Sequence, residues 1–323
     1  MTSSTHAQSL QDAELVRLEL EPFAASGADA EPRKAPPVLV MLDVANGRCV
    51  QVDPDAPQLR ITDLAATRGD GVFETLLACA GVIRKPAAHL RRMAASAAAG
   101  DLPMPARELW LEAIELALRV HGGSAEALVK LVLTRGPEGE GVCTAWVHVV
   151  DVSGVYARQR TSGIDVVLLD RGYDSAAAQR APWLMLGAKT LSYAVNMAAL
   201  RHANACNAQD VIFVSSDGWV LEGPTSTVVM ARDIGGSRTL VTPPHDCGIL
   251  AGTTQQALFD AAARAGWQVE YAALRPEDLL AADGVWLVSS GRLLAPVNHV
   301  DGRALPRCTT LDLELLALIS GAG

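Results

Sequence analysis

Lysine is scarce in this chain: of 27 basic residues among 323, only Lys34, Lys85, Lys130 and Lys189 carry an amine. A net charge of -9 and a pI near 5.3 leave no basic face for nucleic acid or an anionic membrane. No uninterrupted apolar run is long enough to span a bilayer, and the N-terminal residues show no basic start followed by an apolar stretch, so no signal peptide is expected. The six cysteines (Cys49, Cys79, Cys143, Cys206, Cys247, Cys308) form no C-x-x-C pair and have no nearby histidine cluster, which argues against zinc and reads as reduced thiols in a cytoplasmic protein. G-x-S-x-G, H-E-x-x-H and G-x-x-x-x-G-K-[ST] are all missing, and the "GDG" at residues 69 to 71 lacks the downstream glycine of a dinucleotide fingerprint. A small molecule, or a second copy of the chain, is the partner these absences leave.

Half of the residues are hydrophobic, and the length suits one large or two medium domains. Residues 1–37, rich in Ala, Ser, Glu, Asp and Pro, read as a weakly ordered extension. Residues 38–152 read as a small α/β domain, with a hairpin at Ala80-Gly81 and helices over "PAAHLRRMAASAAAGDL" and "ARELWLEAIELALRVHG". In the second helix Leu109, Ala113, Leu116 and Val120 share a face. Residues 153–163 read as a linker, and 164–323 as a larger domain holding a hairpin at Asp217-Gly218 and a helix over "GTTQQALFDAAARAGW".

Three of the lysines have simple explanations. Lys34 lies in the extension, Lys85 follows a turn, and Lys130 within "LVKLVL" reads as an outward charge on a half-buried strand. Lys189, in "GAKTLSYAVNMAAL", follows an apolar run and has no neighbouring acid. Burial disfavours an ammonium, and the neutral amine is the form that attacks a carbonyl, as a Schiff base with substrate or with pyridoxal phosphate requires. The competing reading, a lysine snorkelling from a helix end, stands about level with it. A pyridoxal phosphate site also needs a carboxylate for the ring nitrogen and an anion cradle. Glu222, after three apolar residues in "WVLEG", is the candidate acid. Gly252, Thr253 and Thr254 open a helix whose N-terminus favours a phosphate, and Arg92 is a candidate cation.

The segments "RGDGVFETL", "HLRRM", "GAKTLSYAVNMAAL", "DGWVLEGPTSTVV", "GILAGTTQQAL" and "LVSSGRLLAPVNHVDG" together resemble the fold-type IV pyridoxal phosphate enzymes, the class IV aminotransferases, over roughly residues 38 to 305. The resemblance implies a two-domain α/β fold with pyridoxal 5'-phosphate in the interdomain cleft, and a homodimer. It implies Lys189 as the Schiff-base lysine, Glu222 as the partner of the ring nitrogen, and Arg92, Thr253 and Thr254 around the phosphate. Arg68, Phe73, Tyr193, Ser290 and Arg292 would surround the substrate. Thr227 and Gln255 replace the Asn and Arg that many relatives carry. "TRGPEGEGV" lacks the R-N-H carboxylate trap of D-amino acid aminotransferases and is similar to the lyase branch, although Glu140 stands where some lyases have Arg. The function implied is conversion of 4-amino-4-deoxychorismate to 4-aminobenzoate and pyruvate in folate biosynthesis. The alternatives are transamination of D-amino or branched-chain acids, and a non-catalytic binding protein, against which the presence of both Lys189 and Glu222 argues.

Overall fold

Strand alternation builds the first half of the chain. The computed structural model describes residues 34–321 except Gly235, so the bulk of the proposed N-terminal extension lies outside the described residues. Strands β1 (Val38–Asp43), β2 (Arg48–Val52), β3 (Gly71–Cys79), β4 (Val82–Ile83), β5 (Glu126–Thr134) and β6 (Thr144–Asp151) form an antiparallel sheet in the order β2-β1-β6-β5-β3-β4. Along β5, Ala127, Val129, Leu131 and Leu133 enter one core, and Leu128, Lys130 and Val132 alternate to the other face. Helices α1 (Pro86–Ala99) and α2 (Arg107–His121) cover the first face. The buried stripe of α2 is Leu109, Trp110, Ala113, Ile114, Ala117 and His121, so Leu116 and Val120 sit only at its edge. The β3–β4 hairpin turns through Ala80 (φ 48°) and Gly81 (φ 78°), as the sequence suggests.

The second sheet mixes directions. Strands β7 (Ile164–Asp170), β8 (Asp210–Val214), β9 (Thr227–Ile234), β10 (Ser237–Thr242), β11 (Gln268–Tyr271), β12 (Gly284–Ser289) and β13 (Leu293–Val300) run in the order β11-β10-β9-β12-β13-β7-β8, with β14 (Arg303–Ala304) on β13. Strands β7 and β8 are parallel neighbours, so their connection must cross over, and that crossover holds Lys189 and helix α3 (Ala194–Ala205). Helix α4 (Thr253–Arg264) and helix α5 (Thr309–Gly321) pack on each other against the sheet. The turn after β8 differs from expectation: only Gly218 takes a left-handed φ, while Asp217 does not, because Gly218 N–H closes the turn on Ser215 O.

The two sheets meet through side chains. Leu77 and Leu128 of the first pack against Val229, Trp286, Val288 and Leu294 of the second in a shared apolar cluster. Residues 153–163 contain the short helix Ala157–Ser162, whose Arg160 pairs with Glu126 at 2.6 Å and donates to the carbonyls of Gly291 and Arg292. The segment read as a linker is therefore fastened to both sheets. Next to the shared apolar cluster, the same face of the first sheet turns Phe73, Thr75 and Lys130 into a cavity of about 490 Å³. Truncating the fully buried Leu131 to alanine is expected to cost about 2–5 kcal/mol, read from urea unfolding, because the cavity beneath α1 and α2 cannot refill.

Candidate active site

Lys189 is held by its backbone before its amine does anything. Its N–H donates to Ser96 Oγ on α1 (3.0 Å), its carbonyl accepts from Phe73 N–H (3.0 Å), and Leu191 N–H donates to Gly71 O (2.8 Å). The segment thus adds a short antiparallel rung to β3. Gly71 is required there, since a Cβ would come within 2.6 Å of Leu133 O and 2.7 Å of a Leu191 methyl. The amine lies 4.4 Å from the centre of the Phe73 ring and 5.6 Å from that of Tyr193, two rings packed edge to face. Burial, reinforced by the Arg92 charge, pushes the amine down to about 8, so a useful share is neutral near pH 7.

Glu222 opens onto the same cavity and shifts the opposite way. Burial pushes its carboxyl up to about 7, against a hydrogen bond from Leu250 N–H to Oε2 (3.1 Å). A desolvated carboxyl with one donor is poised to ionise when a cation arrives beside it.

Helix α4 begins at the same cavity. Gly252 is its N-cap, and a Cβ there would collide with Thr227 Oγ1, so the close approach of backbone to side chain needs glycine. Gly252, Thr253 and Thr254 line the cavity next to Arg92. The Arg92 guanidinium is fixed on its other side: Nε and Nη2 donate to Glu74 Oε1 and Oε2 at 2.7 and 2.8 Å, and Nη1 donates to Ala251 O at 2.8 Å. Three of its five N–H groups are used, and one remains on each Nη. Glu74 is fully buried, yet the charges and hydrogen bonds of Arg92 and His89 overcome its desolvation and pull its carboxyl down to about 2.

Among the residues expected around substrate, Phe73, Tyr193, Ser290 and Arg292 line the cavity, and Arg68 does not. Arg68 is exposed at the end of the helical turn Leu64–Arg68. Tyr193 has its hydroxyl donated to Pro224 O (2.9 Å), and Arg292 commits Nη1 to the buried Asp210 at 2.6 Å. Thr227 packs against Gly252, whereas Gln255 is buried away from the cavity and donates to Tyr271 Oη (3.1 Å). Lys130 is exposed on its strand, as expected of an outward charge, and also stands on the cavity wall, 5.7 Å from the Phe73 ring and without an ion-pair partner among the described residues. Lys85, expected in solvent, is half-buried and pushed down to about 8 by burial and by Arg84. Glu74, His89 and Arg171, the last on the cavity wall with its guanidinium over the Phe213 ring, were missed from sequence. Glu74 lies inside "GVFETL" among apolar neighbours and His89 heads "HLRRM", but only the fold puts them together.

A family model described as amino-transferase class IV matches residues 71–300. The chain belongs to the class IV aminotransferase family. A Mycobacterium tuberculosis protein named bifunctional aminodeoxychorismate lyase / D-amino acid transaminase is 48% identical over 272 residues, 83% of this chain and 93% of its own. A fold IV-transaminase from Curtobacterium pusillum superposes with a TM-score of 0.83 at 44% identity, covering 88% of this chain and 99% of its own. The PLP-bound form of a hypothetical aminotransferase from M. tuberculosis superposes with a TM-score of 0.82 at 45% identity, over 89% and 98%. This class IV enzyme is accordingly dependent on pyridoxal 5'-phosphate.

The donor set fits that cofactor: one cavity holds an amine of depressed pKa, a carboxyl that ionises beside a cation, and a helix N-terminus with a clamped arginine. Two expectations follow. Lys189→Ala should abolish the visible absorbance that develops when pyridoxal phosphate is added to the wild-type chain. Glu74→Gln should cost about 3–5 kcal/mol at pH 7, because Arg92 loses its counter-charge. Since the folded carboxyl titrates at about 2 rather than 4.5, its stabilisation is full above about 4.5 and fades as pH falls towards 2. Urea unfolding between those pH values should therefore be flatter with pH in the variant.

Proposed function

We propose that this class IV enzyme is an aminodeoxychorismate lyase, forming 4-aminobenzoate and pyruvate for folate biosynthesis, and that the same site transaminates D-amino acids. The observation that carries the reading is the second amine of the cavity. Lys130 faces the space in front of Lys189 with no counter-charge, which suits a substrate bearing a carboxylate remote from its reacting amine. Aminodeoxychorismate has two carboxylates. The second activity is supported by the bifunctional name of the 48% identical relative. The loop at residues 134–141 adds no cationic trap in this chain: Arg135 is paired with Asp70, and Glu140 with Arg60.

In this proposal Arg92, Thr253, Thr254 and the N-terminus of α4 hold the phosphate, and Glu222 holds the proton on the ring nitrogen. The bound cofactor supplies a conjugated ring that accepts electron density from the amine-bearing carbon. Lys189 takes the proton from that carbon, a role its lowered pKa permits. In the lyase direction loss of the enolpyruvyl group completes an aromatic ring. In transamination Lys189 returns the proton at the neighbouring carbon. Phe73 and Tyr193 pack about the amine and limit water around it.

We further propose a cytoplasmic homodimer. No helix among the described residues is long and apolar enough to cross a membrane. Trp183, Leu184, Val195 and Met197 are exposed apolar side chains near the cavity mouth, and a second copy would cover them.

Supplying aminodeoxychorismate and measuring 4-aminobenzoate tests the lyase. No product from a pyridoxal phosphate-loaded enzyme that converts D-alanine and 2-oxoglutarate would leave only the transaminase. Lys130→Ala should raise KM for aminodeoxychorismate about tenfold or more while changing kcat less, because it removes a charge used in binding.

A further inference from the structure

Behind the phosphate end of the cavity lies a histidine whose hydrogen bonds cannot all keep their present direction once an anion is bound. His89 is 2% exposed. Its Nδ1 is 2.8 Å from Glu74 Oε2, and its Nε2 is 3.2 Å from Thr253 Oγ1 and 3.4 Å from Ser290 Oγ. Glu74 is also doubly bonded to Arg92, which keeps it ionised and able only to accept. The proton of a neutral His89 must then sit on Nδ1, and Nε2 must accept a hydroxyl proton from Thr253 or Ser290.

A phosphate dianion offers no proton and takes only donors. Thr253 has a single hydroxyl hydrogen, and it cannot serve both His89 and the anion. Were Nε2 protonated, it would donate to Thr253 Oγ1, and the Thr253 hydrogen would turn towards the phosphate. Glu74 would then face an imidazolium at Nδ1, an arrangement it already has the geometry to hold. Burial most of all, with the charges of Arg92 on its own helix and of Lys85 just before it, opposes this and holds its pKa below the ordinary value. The incoming dianion supplies the compensating negative charge.

We propose that His89 is a positioning residue whose protonation accompanies phosphate binding: the anion is bound together with a proton, which reverses the His89–Thr253 hydrogen bond and turns the Thr253 hydroxyl onto the phosphate. The proposal rests on the assignment of Arg92 and Thr253 to the cofactor phosphate. It gives the protein an affinity for phosphorylated cofactor that strengthens as pH falls, through a group outside the reacting centre. Only four side chains are needed for it, Glu74, His89, Arg92 and Thr253, drawn from β3, α1 and α4.

The test is calorimetric titration of the full-length, cofactor-free chain with sulfate, a dianion that does not itself titrate between pH 6 and 9. Two buffers of different ionisation enthalpy report the protons taken up. At pH 7, below the titration of Lys189 near 8 and above that of His89, the wild type is expected to take up roughly one proton per sulfate. Its affinity should fall about tenfold per pH unit rise. His89→Gln and His89→Asn should still bind sulfate, taking up about one proton fewer than the wild type and with the pH slope flattened by as much. Any proton taken by Glu222 persists in both variants and is removed by the comparison. Sulfate binding with no more proton uptake in the wild type than in the two variants would overturn the proposal, for it would mean that Ser290 keeps a neutral Nε2 satisfied. If sulfate does not bind, or binds equally to Arg92→Gln, the phosphate assignment itself fails and the proposal with it.

Discussion

Burying the Glu74 carboxylate is the constraint on which the site depends. A carboxylate with no access to solvent is tolerable only with matched donors, and here two come from Arg92 and one from His89. Those bonds fasten β3 to α1. Through Arg92 Nη1 and Ala251 O they also fasten the first sheet to the loop that begins α4. The helix N-terminus and its cation are thereby set at a fixed separation, which is the condition for recognising a phosphate by geometry rather than by charge alone.

Lys189 and Glu222 show the opposite arrangement. Both are desolvated and neither has a strong partner, so each is displaced towards its neutral form. One cavity therefore contains a fully compensated charge cluster around Glu74 and two under-compensated groups, Lys189 and Glu222. The first gives rigidity. The second leaves groups that change protonation near neutral pH, which proton transfer at carbon requires.

Much of this was legible in the sequence. The scarcity of lysine, the apolar approach to Glu222 and the Gly-Thr-Thr start of a helix each named a correct cavity residue, because each depends on local chain chemistry. Period-two alternation in "LVKLVL" gave the strand but could not say what lay over its outer face, and that face turned out to border the cavity. Lys130 is exposed as its place in the alternation requires, but its position over the cavity was not legible from that alternation. Arg68 was placed at the substrate by resemblance, and the fold leaves it exposed and outside the lining of this chain's cavity. Glu74, His89 and Arg171 carry no local signal, since a single acid in a strand or a histidine on a helix is usually explained by its own element.

By itself the sequence determined the family and the α/β character, and pointed to Lys189 and Glu222 as members of one cavity, since these are written in residue types and short-range spacing. Only the tertiary structure decided that Lys189 is stitched to β3, that a second lysine shares its cavity, and that Arg92 is aimed by a buried glutamate. Those facts join residues far apart in the chain, and they are set by which faces of two sheets pack together.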